Sequence, residues 1–169
     1  MQQMLRFFVL AIAAAGVVSH FGLAAAQAQV KQLKLTEKQV EGFIAAHKDI
    51  AAAAEKMPSD KPDPAIEAQL EVIAKKFGFK DFNEYDEVAF NIHLVMDGID
   101  PQTKSFTEPP VVIKKRIDDV KGDKSMSEAE KKEALDGLNE ALKTAQPVQF
   151  PANVELIKKY FNKIQDVLQ

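Results

Sequence analysis

Two histidines and one aspartate are the side chains of this sequence that are best suited to bind a metal ion. His47 and His93 both lie in stretches where apolar residues recur at helical spacing. His93 precedes Asp97 by four residues, which puts both on one helix face as two ligands of a metal ion. Met96 beside them offers a second arrangement, histidine and methionine as axial ligands of a b-type haem. Histidines on helix faces also commonly keep a solvated polar tip and bind nothing.

Other catalytic and cofactor motifs are absent from the sequence. It contains no G-x-S-x-G, no H-E-x-x-H, no phosphate-binding loop and no dinucleotide fingerprint. It also has no cysteine, which excludes disulfides, thiolate chemistry, a lipoprotein anchor and c-type haem. Asp97 and Glu108 are spaced like the ends of a calcium loop, but Ile99, Pro101 and Gln102 occupy positions that need ligands or glycine. We predict no enzymatic activity and assign no resident cofactor.

The N-terminal residues have the pattern of a secretory signal peptide. Arg6 is the one charged residue in 1–28, and an apolar run extends from Phe7 to Ala26. Small residues at the end of the run predict cleavage after Ala28 or Ala26 and a periplasmic location. The alternative is an uncleaved anchor, since about 20 apolar residues can span a bilayer. After cleavage we expect no stable membrane insertion.

The net charge of the chain argues against a nucleic-acid partner. The whole chain carries 22 basic and 25 acidic residues, a net charge of −3. Removing residues 1–28 removes one basic residue, so the mature part has 21 basic and 25 acidic side chains, a net charge of −4. Nucleic-acid-binding domains instead have a clear basic excess.

Residues 29–169 are predicted to form a single all-α domain, an irregular bundle of about six helices. Strand patterns are nearly absent, whereas helix caps and helical apolar spacing recur. The predicted helix starts are Thr36 with Gln39, Asp63-Pro64, Asp81 with Glu84, Pro109-Pro110, Ser125 or Ser127, and about Asn153. The segment from Phe82 to Met96 is apolar over much of its circumference, so we place it centrally in the core. The oligomeric state is left open.

Aromatic residues suggest two binding surfaces. Phe90 belongs to a group that packs in the core or lines a hydrophobic groove for a client peptide or lipid, together with Phe77, Phe79, Phe82 and Tyr85. Phe106 lies in the non-periodic segment 98–110, with no helix to bury it. Long irregular loops in compact domains are often functional, although a phenylalanine in one can also fold back as a plug. These residues are the candidate contacts for unfolded or envelope proteins.

Two resemblances favour a non-enzymatic exported protein. Leu35-Thr36-x-x-Gln39 resembles the LTxxQ motif of Spy-type periplasmic chaperones, and Met126–Glu130 is a degenerate second copy. That resemblance implies an all-helical protein that protects clients. Over a longer span, GFKDFNEYDEVAFNI and MDGIDPQTK are similar to uncharacterised exported helical proteins of Gram-negative bacteria, which implies a soluble periplasmic domain. The sequence thus predicts a binding or protective protein, with a small-ligand, metal or haem carrier as the alternative.

Overall fold

The computed structural model describes residues 31–58 and 62–169, so the predicted signal peptide and its cleavage sites lie outside the described residues. The described part is all-α, as predicted, with an isolated β-bridge between Ile99 and Phe106. None of its helices is long and apolar enough to cross a membrane. The six helices are α1 (Glu37–Ala54), α2 (Pro64–Lys76), α3 (Phe82–Met96), α4 (Pro109–Gly122), α5 (Glu128–Thr144) and α6 (Pro151–Val167).

Capping boxes begin α1 and α5. The Thr36 hydroxyl accepts from Gln39 N at 3.3 Å, and Gln39 Oε1 accepts from Thr36 N at 3.1 Å. Ser127 and Glu130 repeat this exchange at the start of α5. Each box satisfies amides that the first helical turn leaves without partners. The Leu-Thr-x-x-Gln string therefore has a structural role here, and Leu35 is buried beneath it.

Two helix starts differ in detail from the prediction. Asp81 caps α3 by accepting from Glu84 N at 2.8 Å, but Glu84 Oε2 accepts from Lys80 N and not from the cap residue. Helix α6 begins two residues earlier than expected, at Pro151. Proline is favoured in the first turn because its fixed φ fits the helix. The amide hydrogen that it lacks would have no partner within the helix at that position. This places Asn153 inside the helix, where its side chain is free for another role.

Helices α1, α2, α3 and α6 enclose the hydrophobic core. Helix α3 packs against the other three, which confirms the central position that its apolar circumference predicts. Phe43, Ile92, Ile157 and Ile164 are among the largest fully buried side chains of this core. Each contributes about 1.5–3 kcal/mol through removal from water.

Helices α4 and α5 form a hairpin beside this core, which we call the α4–α5 hairpin. Among the described residues, the two helices pack on each other and make no extended contact with the four core helices. Ile117 and Leu138 are the buried residues of the hairpin helices. Its attachments include a hydrogen bond from Val148 N to Glu108 Oε2 at 2.9 Å. The hairpin is therefore attached to the core at a few points and has a small interior of its own.

Two buried asparagines fasten residues 31–35, which we call the N-terminal strap. Leu33 N donates to Asn91 Oδ1 at 2.9 Å, and Leu33 O accepts from Asn153 Nδ2 at 2.7 Å. Leu35 N donates to Asn153 Oδ1 at 2.9 Å, and Asn91 Nδ2 donates to Lys31 O at 3.2 Å. Alternate residues of this extended segment thus hydrogen-bond to side-chain amides, whereas residues of a β-strand hydrogen-bond to the backbone of a neighbouring strand.

Candidate functional site

The structure brings His47 and His93 to the same aromatic ring. His47 on α1 lies 5.0 Å from the Phe43 ring centre, and His93 on α3 meets the same ring edge-on at 6.0 Å. His47 Nδ1 also lies 3.1 Å from the Tyr85 hydroxyl, a hydrogen bond that can run in either direction. Sequence reasoning placed both histidines on helix faces, and the fold makes them neighbours across α1 and α3.

Removal from water favours the neutral form of both imidazoles. It lowers the pKa of His47, and the nearby charge of His93 lowers it further. Burial also lowers the pKa of His93, against the opposing effect of the Asp97 carboxylate. The neutral ring is the form that binds metal ions. His93 retains an exposed edge and His47 is half-buried, so both can be reached from solvent.

Asp97 lies at the end of α3 and its carboxylate faces the hairpin. Its Oδ2 lies 3.7 Å from Arg116 Nη2, halfway along α4, which makes it an ion-pair partner between the core and the hairpin. Within residues 31–58 and 62–169, no three histidine or acidic side chains are grouped to hold a metal ion. The carrier hypothesis at His47, His93 and Asp97 stays a prediction.

The histidine pair should make stability depend on pH. The folded-state pKa of both rings lies below 6.5, so the unfolded chain binds more protons as the pH falls through that value. We expect the free energy of unfolding, measured in urea, to fall from pH 7 to pH 5, and to fall less for His47→Gln/His93→Gln. Asp86, whose pKa burial raises, acts in the opposite sense in both proteins and cancels in the comparison. Equal slopes in the two proteins would contradict this.

Phe106 is half-buried and packs against its own loop and the core. Its ring lies beside Gly98, and Thr107 N donates to Gly98 O at 2.8 Å. Asp100 Oδ1 organises the turn by accepting from Thr103 N at 2.7 Å and Gln102 N at 3.0 Å. The non-periodic segment is thus an ordered loop, and Phe106 has the folded-back arrangement that the sequence left as its second interpretation.

The other aromatics mostly form core. Phe79 and Tyr85 are buried, and their rings meet edge-on at 5.3 Å. Phe90 differs, because 38% of its surface is exposed on α3. In the described ranges no ring contact joins Phe90 to Phe106. The structure therefore leaves the two candidate contacts as separate features.

The α4–α5 hairpin carries a groove that the sequence analysis did not single out. It is an open surface groove of about 620 Å³ between the end of α4 and the first three turns of α5. Leu135 lies in it among charged and amide side chains, namely Lys121, Glu128, Lys131, Lys132, Asp136 and Asn139. One signal was available: both helices have few apolar residues per turn, which is typical of a helix with little to pack against.

Comparison with known proteins adds no assignment: no family profile, curated protein or solved structure matches the chain.

Proposed function

We propose that the protein is an exported, non-enzymatic binding protein that protects apolar segments of unfolded or envelope proteins. The observation that carries this proposal is the incomplete burial of the α4–α5 hairpin. Helices that stand apart from a core leave their apolar side chains for another chain to cover.

The open apolar side chains follow the length of the hairpin. Besides buried Ile117 and Leu138, the hairpin helices carry half-buried Val112, Ile113, Val120, Leu135 and Leu142, and Val111 is 53% exposed. Helices of 14 and 17 residues are about 21 and 25 Å long, enough to contact several turns of an amphipathic segment. An apolar strip of this length suits a client segment better than a small ligand.

Charged residues border this strip. Lys132 pairs with Asp136 at 3.1 Å, and Lys131 lies 3.8 Å from Glu128. The exposed Lys132–Asp136 pair is worth about 0–1 kcal/mol, so it reorganises easily around an incoming chain. A polar border around an apolar strip also keeps the free hairpin soluble.

The proposal is tested by protection of unfolding clients. We expect the protein, at equimolar ratio, to suppress light scattering by two unrelated heat-labile enzymes. Leu135→Glu should remove most of this effect, because it places a carboxylate in the apolar strip. Light scattering measures client aggregation directly, and far-UV circular dichroism checks that the variant keeps its helices.

Val72→Glu is the matched control. Val72 is 66% exposed on α2, outside the hairpin, so the same apolar-to-acidic change should leave protection intact. Leu135→Met keeps an apolar side chain and should also protect. Wild-type protein that is inert toward both clients, or equal loss in Leu135→Glu and Val72→Glu, would overturn the proposal.

A further inference from the structure

We propose that the cleft between α3 and α6, which the N-terminal strap fills, is a second client site. It takes an extended, unfolded segment with aliphatic side chains two residues apart, and the strap is the built-in competitor for it. We call this cleft the asparagine groove after Asn91 and Asn153, which line it. The inference rests on the proposed function, because it names the kind of client segment that the protein binds.

The two asparagines bind the backbone of the strap. Asn91 accepts from Leu33 N at 2.9 Å and donates to Lys31 O at 3.2 Å. Asn153 accepts from Leu35 N at 2.9 Å and donates to Leu33 O at 2.7 Å. Each amide thus binds an N–H group and the carbonyl two residues before it. Every extended chain without proline at the donor positions presents these groups at this spacing, so other sequences can make the same hydrogen bonds.

The asparagine groove is prepared for an extended occupant. Asn91 Nδ2 also donates to Glu87 O of its own helix at 2.8 Å, which holds the amide in orientation independently of the strap. Asn91 and Asn153 are 1% and 3% exposed, so their hydrogen bonds to the strap are shielded from water. When the strap leaves, the two amides lose four hydrogen bonds, which another extended chain restores.

The strap can leave without unfolding the helices. Within the described residues, no backbone–backbone hydrogen bond joins it to the rest of the fold. Gln32 donates to Pro147 O at 3.0 Å and accepts from Gln149 N at 2.8 Å, both at the surface. Leu35 is buried and Leu33 is half-buried, on one side of the extended segment because they are two residues apart. Apart from the bonds of Gln32, a client segment with two aliphatic residues can supply each of these contacts.

A client segment fits the groove better than the strap of a second copy does. The strap runs directly into Thr36, the cap of α1. Its five residues span about 17 Å when extended. To exchange straps, two copies would have to hold their α1 helices within that distance of each other's grooves. A segment of an unfolded chain has no such constraint.

The tethered strap competes with every free segment. A segment tethered beside its site is present at millimolar effective concentration. The groove of the wild type therefore stays mostly filled, and the α4–α5 hairpin provides most of the protection. Leu33→Ser/Leu35→Ser removes the two aliphatic side chains of the strap and leaves both asparagines in place. We expect a free peptide to bind this variant at least about tenfold more tightly than the wild type.

The test is fluorescence anisotropy with a labelled peptide, on protein expressed from the full sequence. The first peptide has the sequence of residues 31–36, Lys-Gln-Leu-Lys-Leu-Thr. It should bind Leu33→Ser/Leu35→Ser and bind the wild type at least about tenfold more weakly. A second peptide, with both leucines N-methylated, lacks the two N–H donors and should bind neither protein. A third, with isoleucine and valine for the leucines and serine for the lysines, should bind like the first.

A control variant and a second measurement accompany the peptides. Lys34→Ser/Lys38→Ser also creates two serines in this stretch, but from exposed side chains, so it should bind the first peptide as weakly as the wild type does. Hydrogen exchange of the wild type depends on no variant. Excess first peptide should speed exchange of the Leu35 amide, which loses Asn153 as its acceptor when the strap is displaced. The N-methylated peptide should not.

Each outcome decides the proposal. Tighter binding to Leu33→Ser/Leu35→Ser, together with dependence on the N–H groups of the peptide, supports it. Equal affinity for variant and wild type, equal binding of the N-methylated peptide, or binding of the strap sequence alone, as in exchange between copies, would overturn it. If Leu33→Ser/Leu35→Ser loses its helices, the exchange result decides. Peptide binding without protection of clients would contradict the proposed function alone, and protection without peptide binding would contradict this site alone.

Discussion

Asn153→Leu is expected to destabilise the domain by about 2–4 kcal/mol, because it leaves two backbone groups of the N-terminal strap without partners. Asn153 is 3% exposed, and its side chain serves both Leu33 O and Leu35 N. Leucine has a similar volume but can neither donate nor accept, so the cost is that of unsatisfied polar groups and not of a cavity. Urea unfolding measures the loss.

Asn162→Leu on the same helix is the control. Asn162 is exposed, and its side chain accepts from Lys104 Nζ at 3.4 Å on the surface, so we expect a change within about 0.5 kcal/mol. Hydrogen exchange gives a second, local readout. In Asn153→Leu the amide of Leu35 should lose protection before the amides of the core helices do. A strap that stays protected, with stability unchanged, would contradict this account.

The strap shows where sequence reasoning reaches its limit. Thr36 and Gln39 could be assigned as a cap because their partners lie three residues apart, and helical spacing identified α3 as central. Asn153 donates to a residue 120 positions away, and Asn91 accepts from one 58 positions away. In sequence both asparagines are indistinguishable from exposed helical ones such as Asn162. Side-chain chemistry that serves a distant backbone leaves no local pattern.

For the candidate sites too, local spacing could be predicted from the sequence and contacts between helices could not. His93 and Asp97 were correctly placed one turn apart, since helical spacing alone decides it. The approach of His47 to His93 depends on how α1 crosses α3, and the pairing of Asp97 with Arg116 depends on where α4 lies beside the core. The open strip of the hairpin is likewise a property of packing. Helical periodicity identifies which side chains lie on the apolar face of a helix. It does not show whether a neighbouring helix covers that face.

Gly98→Ala should destabilise the domain by about 2–3 kcal/mol, because a methyl group there has no room. A Cβ at this position would lie 2.6 Å from Phe106 Cε2 and closer still to the carbonyl oxygen of Thr107. The backbone cannot retreat without breaking the hydrogen bond from Thr107 N to Gly98 O. The Phe106 ring must then leave its place against the loop. Thermal unfolding should show the loss of stability. An increase in the fluorescence of a dye that binds apolar surfaces should report the exposed ring.

Gly137→Ala is the matched control, with the opposite expected sign. Gly137 lies inside α5, and a methyl group added there would have nothing within 4 Å, so alanine should stabilise the domain by about 0.5–1 kcal/mol through helix propensity. The two substitutions add the same methyl group, so opposite signs would show that the loss in Gly98→Ala comes from the crowding by Thr107 O and the Phe106 ring. An unchanged melting temperature in Gly98→Ala would mean that the loop separates from the core at little cost. Phe106 would then be available to clients as a second contact beside the hairpin.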